Sequence, residues 1–243
     1  MTTLLLTLLL ASAATEQTQA TAASALISAP VDLAQDQGTA KAASSDPNST
    51  RLIFGPTGRS LRKGEVYVGV YEVVLPFVQV GVTDRLSIGA GTPLLFGDFD
   101  RPFWFTPKFK VMERGSTAAS VGVMHFLNID DHANIGVAYG VVTRGGADSS
   151  ITVGGGAAYA RWDVNDGERD TKAGAAVLML GGDHRVAKGV KLVTENYVFR
   201  RGGFVSGGVR FFGEKLSADI GLMMPLDTDS VIALPIVNIV RRF

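Results

Sequence analysis

The sequence predicts an all-β protein, an antiparallel up-and-down transmembrane β-barrel of about 12 strands, with about 10 as the alternative count. Three observations carry this. From residue 51 to 243 the hydrophobic pattern has period two, with no helical spacing. The second face of each strand is mainly Gly, Ser and Ala, where a water-soluble sandwich would show Lys, Glu and Thr. Tight turns such as Thr83-Asp84-Arg85 and Phe212-Gly213-Glu214-Lys215 are mixed with longer polar connections.

Taken in order, residues 66–82 are apolar, with Pro76 marking a turn or a kink. Residues 86–94 set Leu86, Ile88 and Ala90 against Ser87, Gly89 and Gly91. Residues 103–112 set Phe103, Phe105, Phe109 and Val111 against Trp104, Thr106, Lys108 and Lys110. Residues 119–127 set Val121, Val123 and Leu127 against Ser120, Gly122 and Met124. Trp104 and Met124 are the large residues on an otherwise small or polar face. In residues 133–142, Ala133, Ile135, Val137, Tyr139 and Val141 oppose Asn134, Gly136, Ala138 and Gly140. In residues 151–161, Ile151, Val153 and Tyr159 oppose Thr152, Gly154, Gly156 and Ala158. Residues 190–199 alternate poorly. Residues 216–224 set Leu216, Ala218, Ile220 and Leu222 against Ser217, Asp219 and Gly221. The expectation throughout is that the larger apolar face meets lipid and the small face meets a crowded lumen, so that Val137 faces lipid and Gly136 the lumen.

Composition narrows the function. Lys plus Arg is 23 and Asp plus Glu is 23, so no basic excess serves nucleic acid, and none is expected as a partner. The absence of cysteine excludes disulfides, thiol nucleophiles and cysteine zinc motifs, and there are three histidines. Glycine, at 29 of 243 residues, is about 12%, above the ~7% of ordinary globular chains.

The domain reading has three parts. Residues 1–13 read as a secretory signal peptide, with the leucine-rich run Leu4 to Leu10 followed by Ala11-Ser12-Ala13, although the n-region lacks Lys and Arg. Residues 14–50 read as a flexible low-complexity leader, rich in Ala, Thr, Ser and Gln and without aromatics. Residues 51–243 read as the barrel domain. Whether the leader plugs the barrel is left open.

Val80-Gly81-Val82-Thr83-Asp84-Arg85-Leu86-Ser87-Ile88-Gly89-Ala90-Gly91 resembles a strand–turn–strand repeat common in bacterial outer-membrane β-barrel, porin-like proteins. Residues 48–61, before Lys63-Gly64-Glu65, look like the opening of a group of uncharacterised secreted bacterial proteins of that kind. The terminal Phe243 resembles the sorting signal read by the barrel assembly machinery, with departures at Arg241 and Pro235. The resemblance implies location in the bacterial cell outer membrane, with membrane lipids and that machinery as partners. It brings no catalytic residues.

Candidate sites are few. Lys108, Lys110 and Asp219, with Glu195 and Arg210, are the charged lumen-facing candidates, placed to pair across an enclosed interior. His125 falls on the apolar face, where a lipid hydrolase would pair it with Ser120, Ser149 or Ser150; an interfacial histidine is the plainer reading. Asp130-Asp131-His132, and Asp163 with Asn165-Asp166-Gly167-Glu168, read as solvated loops rather than metal sites. Gly154-Gly155-Gly156 lacks the lysine and helix of a phosphate loop. No metal, cofactor or catalytic residue is assigned, and the chain is not read as an enzyme. The expected role is structural, or that of a narrow channel. The alternatives are a lipid-acting outer-membrane hydrolase and a soluble secreted barrel holding an apolar ligand.

Overall fold

The computed structural model describes residues 46–94, 102–130, 133–164, 168–200, 202–226 and 232–243. The chain forms one closed antiparallel barrel of 12 strands. These are β1 (Val66–Tyr71), β2 (Leu75–Gly81), β3 (Leu86–Gly91), β4 (Phe103–Arg114), β5 (Thr117–Asp130) and β6 (Ala133–Gly145). They continue with β7 (Ser149–Val164), β8 (Glu168–Ala187), β9 (Val190–Phe199), β10 (Gly202–Phe212), β11 (Leu216–Leu226) and β12 (Leu234–Arg242). Each strand pairs with its sequence neighbours, and β1 pairs with β12 from Tyr67 opposite Arg242 to Tyr71 opposite Asn238. Closure leaves no free sheet edge. The hydrogen bond from Phe243 N to Val66 O fastens the last residue to the seam.

The two regions with weak patterns are both wall. Residues 66–82 form β1 and β2, joined by a turn in which Glu72 and Val73 take φ of 49° and 63°. A β-branched residue in that conformation is strained, and with no Gly or Asn at these positions the sequence does not announce the hairpin. Pro76 sits inside β2, opposite Val70. Residues 190–199 are β9, where Lys191, Val193 and Glu195 are buried inward and Leu192 and Val198 stand outward.

The barrel has two unlike ends. The end where β1 begins and β12 finishes carries only connections of two to four residues, 82–85, 115–116, 146–148, 188–189 and 213–215, whereas the other end mixes equally short ones with long ones. Gly115 and Gly189 take positive φ there, which allows two-residue turns. The longest connections, 92–102 and 227–233, lie at the opposite end. Residues expected in longer loops are mostly strand: β6 runs to Gly145, and β7 and β8 extend to Val164 and from Glu168. Asp131, His132, Asn165, Asp166 and Gly167, on which the metal readings turn, lie outside the described residues, as do residues 1–13, for which a signal peptide is expected.

Outward faces are apolar. Phe103, Phe105, Val153, Leu178, Leu192 and Ile220 are all exposed. The expected facing holds for β3, β4, β5, β7 and β11, where Ser87, Lys108, Ser120, Thr152 and Asp219 are buried inward.

For β6 it is reversed. Val141 is 4% exposed and packs in the lumen with Leu52 and Met179, and Tyr139 packs against that cluster. Val142 is 46% exposed. Alternation therefore sends Ile135 and Val137 inward and Gly136, Ala138 and Gly140 outward. The lumen here contains apolar residues of the chain itself, so the larger side chains of β6 find their partners inside.

Aromatic rings cover glycines on neighbouring strands. Tyr139 lies over Gly122 inside the lumen; a Cβ on Gly122 would come within 2.5 Å of the tyrosine oxygen. Outside, Tyr159 lies over Gly136 in the same way. The missing side chain makes room for a ring that shields the exposed backbone, one physical use of the high glycine content.

Candidate functional site: a plugged lumen

Residues 46–61 do not belong to the wall. They form a hairpin inside the barrel, so the expected boundary between leader and barrel at residues 50 and 51 falls within it. Leu52 N donates to Gly55 O at 2.9 Å and Thr57 N to Thr50 O at 3.0 Å, with Arg51 bridged to Pro56. The turn exposes three consecutive N–H groups at its tip. Glu195 of β9 takes all of them: Oε2 accepts from Ile53 N at 2.7 Å and Phe54 N at 3.0 Å, and Oε1 from Gly55 N at 2.9 Å. Tyr197 donates to the same carboxylate at 2.8 Å, and Asn238 Nδ2 donates to Ile53 O at 3.1 Å. Leu52 and Ile53 pack against Val141, Met179, Val193 and Ile236.

A buried ion network holds the start of the plug. Arg210 of β10 is 1% exposed. Its Nε donates to Asp219 Oδ1 at 2.7 Å and its Nη1 to Asp46 Oδ2 at 3.0 Å. The same guanidinium donates to the carbonyls of Asn48, Arg51 and Leu52. Lys191 bridges Asp183 at 2.7 Å and Asp46 at 3.5 Å. A guanidinium with its donors satisfied by a fixed fork of acceptors is an orienting clamp.

The opposite wall holds the returning strand. Lys108 Nζ donates to Thr50 O at 3.1 Å and Arg59 O at 2.6 Å. Ser120 Oγ donates to Gly58 O at 2.7 Å, and Gly58 N donates to Thr143 Oγ1 at 2.8 Å. Arg59 Nη2 reaches Gly145 O and Gly146 O, both at 3.0 Å, at the short-turn end. Arg51 donates to Gln79 Oε1 at 2.9 Å and lies 4.2 Å above the Phe77 ring.

Lys108, Glu195, Arg210 and Asp219 thus converge on the plug. Lys110 does not: it pairs with Glu113 at 2.5 Å near the end of β4, and Glu113 is exposed. Asp46, Arg51, Gln79, Asp183 and Lys191 complete the arrangement and were not among the sequence candidates. A signal existed for two of them, since Lys191 shares parity with Glu195, and Asp183 with the small Gly181.

His125 faces outward, and its Nδ1 lies 2.8 Å from the Tyr159 hydroxyl across Gly136. Ser120 is turned into the lumen, and Ser150 donates to Asp183 at 2.5 Å. Neither serine pairs with His125. Among the described residues no cluster of three or more His, Asp and Glu side chains is placed to hold a metal ion.

Asp46 lies on the plug, outside the wall strands. Burial alone raises its carboxyl, but the Arg210 and Lys191 charges and the Asn48 N–H hold it below its ordinary value of 3.8. A lowered docked pKa stabilises docking above the free value, and that stabilisation is lost as pH falls through the docked one. Through Asp46, docking is therefore expected to be flat from neutral pH downward and to weaken only below 3.8. Protection of residues 46–61 from proteolysis against pH checks this; a loss of protection near neutral pH would point to a different controlling group.

No protein-family model matches the chain, and no match was found among curated proteins. Among the solved structures that resemble it are two of low identity. One is the NanC porin, with TM-score 0.49 and 8% identity, covering 72% of this chain and 97% of that one. The other is the N-terminal β-barrel domain of Pseudomonas aeruginosa OprF, with TM-score 0.25 and 9% identity, covering 75% of this chain and 100% of that one.

Proposed function

We propose that the protein is a bacterial outer-membrane β-barrel whose lumen is held shut by its own residues 46–61. On this reading it serves a structural role or that of a narrow, plug-controlled channel. The observation that carries it is the combination of an apolar outer wall with a lumen occupied by a polar-tethered hairpin. Side chains such as Leu178 and Ile220, exposed at 62% and 57%, need an apolar surrounding, which a bilayer supplies. A soluble barrel around an apolar ligand calls for the opposite facing. The short-turn end corresponds to the periplasmic side of such barrels, and the plug enters from that end, beside Lys191 and Arg210.

About 12 strands make a barrel wider than the side-chain-filled eight-stranded type and narrower than open porins. Such a lumen has room for a hairpin, and the hairpin fills it. In planar bilayers the full-length protein is expected to show little or no stable conductance. A variant lacking residues 46–61 is expected to show discrete conducting steps. A large, stable conductance from the full-length protein would overturn the closed-lumen reading, and partitioning of the folded protein into water rather than detergent would overturn the membrane reading.

A further inference from the structure

The charges inside the barrel are separated across the plug. Asp46, Asp183, Glu195 and Asp219 gather at β8 to β11 with Lys191 and Arg210. Arg51 and Lys108 lie together on the other side, against β2 and β4. Both are buried, at 8% and 3% exposure. Neither has a carboxylate partner among the described residues. Lys108 gives its protons to the carbonyls of Thr50, Thr57 and Arg59. Arg51 uses Nη2 on Gln79 and its face on Phe77, while its Nη1 has no hydrogen-bond partner.

A cavity of about 20 Å³ lies between them, lined by Thr50, Arg51, Gln79, Thr106, Lys108 and Tyr139 among others. We propose that this cavity binds one small monovalent anion of halide size, held by Arg51 Nη1 and supplying the counter-charge that the Arg51 guanidinium lacks. A buried cation without a counter-charge is costly, and a guanidinium cannot relieve the cost by losing its proton. The Thr106 and Tyr139 side chains bring hydroxyl donors to the same lining. The volume suits one particle of water size, for which roughly 10–15 Å³ suffices. Water would satisfy the orphaned N–H but not the charge, so the electrostatics favour an anion. The site also ties plug to wall, since Arg51 belongs to the plug and Lys108 to β4. It depends on the plug being docked, not on the barrel conducting or lying in a particular membrane.

The test uses the full-length folded protein in detergent at fixed ionic strength. Thermal unfolding in sodium chloride or bromide is compared with sodium gluconate, whose anion is too large for the cavity. Chloride and bromide are expected to raise Tm saturably by about 2–4 °C, the shift that roughly 1 kcal/mol of ligand linkage gives a chain of this size. Arg51→Gln is expected to remove the halide dependence and Lys108→Met, which lowers the positive field, to weaken it; if Arg51→Gln fails to fold, Lys108→Met decides. Crystals grown in bromide are expected to show an anomalous peak beside Arg51 Nη1. Equal Tm in halide and gluconate, a halide effect that survives undiminished in the folding variants, or water alone in the cavity overturns the proposal. So does a bromide peak without a Tm response, which would mark an adventitious ion only. Conductance is a separate readout, so failure here leaves the plugged-channel reading standing.

Discussion

Arg210→Met is expected to release the plug and turn a silent barrel into a conducting one. The methionine keeps apolar bulk but removes every donor. Asp219 and Asp46 lose their guanidinium partner, and the carbonyls of Asn48, Arg51 and Leu52 lose theirs. Removing one partner from a buried ion network costs about 3–5 kcal/mol, because the remaining charges stay buried without compensation. Part of that cost is relieved if the hairpin leaves, since Asp46 then reaches water. Undocking is the cheaper response, because the wall strands keep their own ladders. Single-channel recording should show frequent opening steps in Arg210→Met that are rare in the unaltered protein. A folded variant that stays silent would show that Glu195 and the apolar contacts of Leu52 and Ile53 suffice to hold the plug.

Ala138→Arg is expected to cripple membrane insertion, while Val137→Thr is tolerated. Ala138 is exposed on the outer wall, paired with the exposed Ala157 of β7. An arginine facing lipid at the midplane costs roughly 2–4 kcal/mol. Val137 shares the inward parity of Val141 and lies opposite the buried Ala158, so a near-isosteric threonine there stays off the lipid face and carries no charge. Folded fractions after refolding into vesicles, read from a heat-dependent gel shift, check the contrast. Equal yields, or the opposite order, would restore the facing that the hydrophobic pattern of β6 suggests.

That strand shows where pattern reading stops. Alternation states which residues share a face. It does not state which face is outside, and the usual tie-breaker is that small residues line the lumen. In β3, β4, β5, β7 and β11 the tie-breaker works, because Ser87, Lys108, Ser120, Thr152 and Asp219 have polar partners inside. In β6 it fails, because Leu52 and Ile53 bring an apolar surface into the lumen and Val141 packs on it. Lys110 keeps the inward parity of Lys108 but lies close to the end of its strand, where it pairs with Glu113 instead of the plug.

From the sequence alone one can read the barrel, its strand number, the sharing of faces and four charges that meet the plug. These follow from local periodicity and turn chemistry, which act between residues close along the chain. The plug, the clamp formed by Arg210, Asp46 and Lys191, and the separation of charge across the lumen were decided by tertiary structure. The partners are distant in sequence, as with Ile53 and Glu195, separated by 142 positions, and Asp46 and Arg210, separated by 164. Residues 46–61 have no period to betray a fold, because an irregular hairpin satisfies its backbone groups with side chains from a wall that exists only once the barrel has closed.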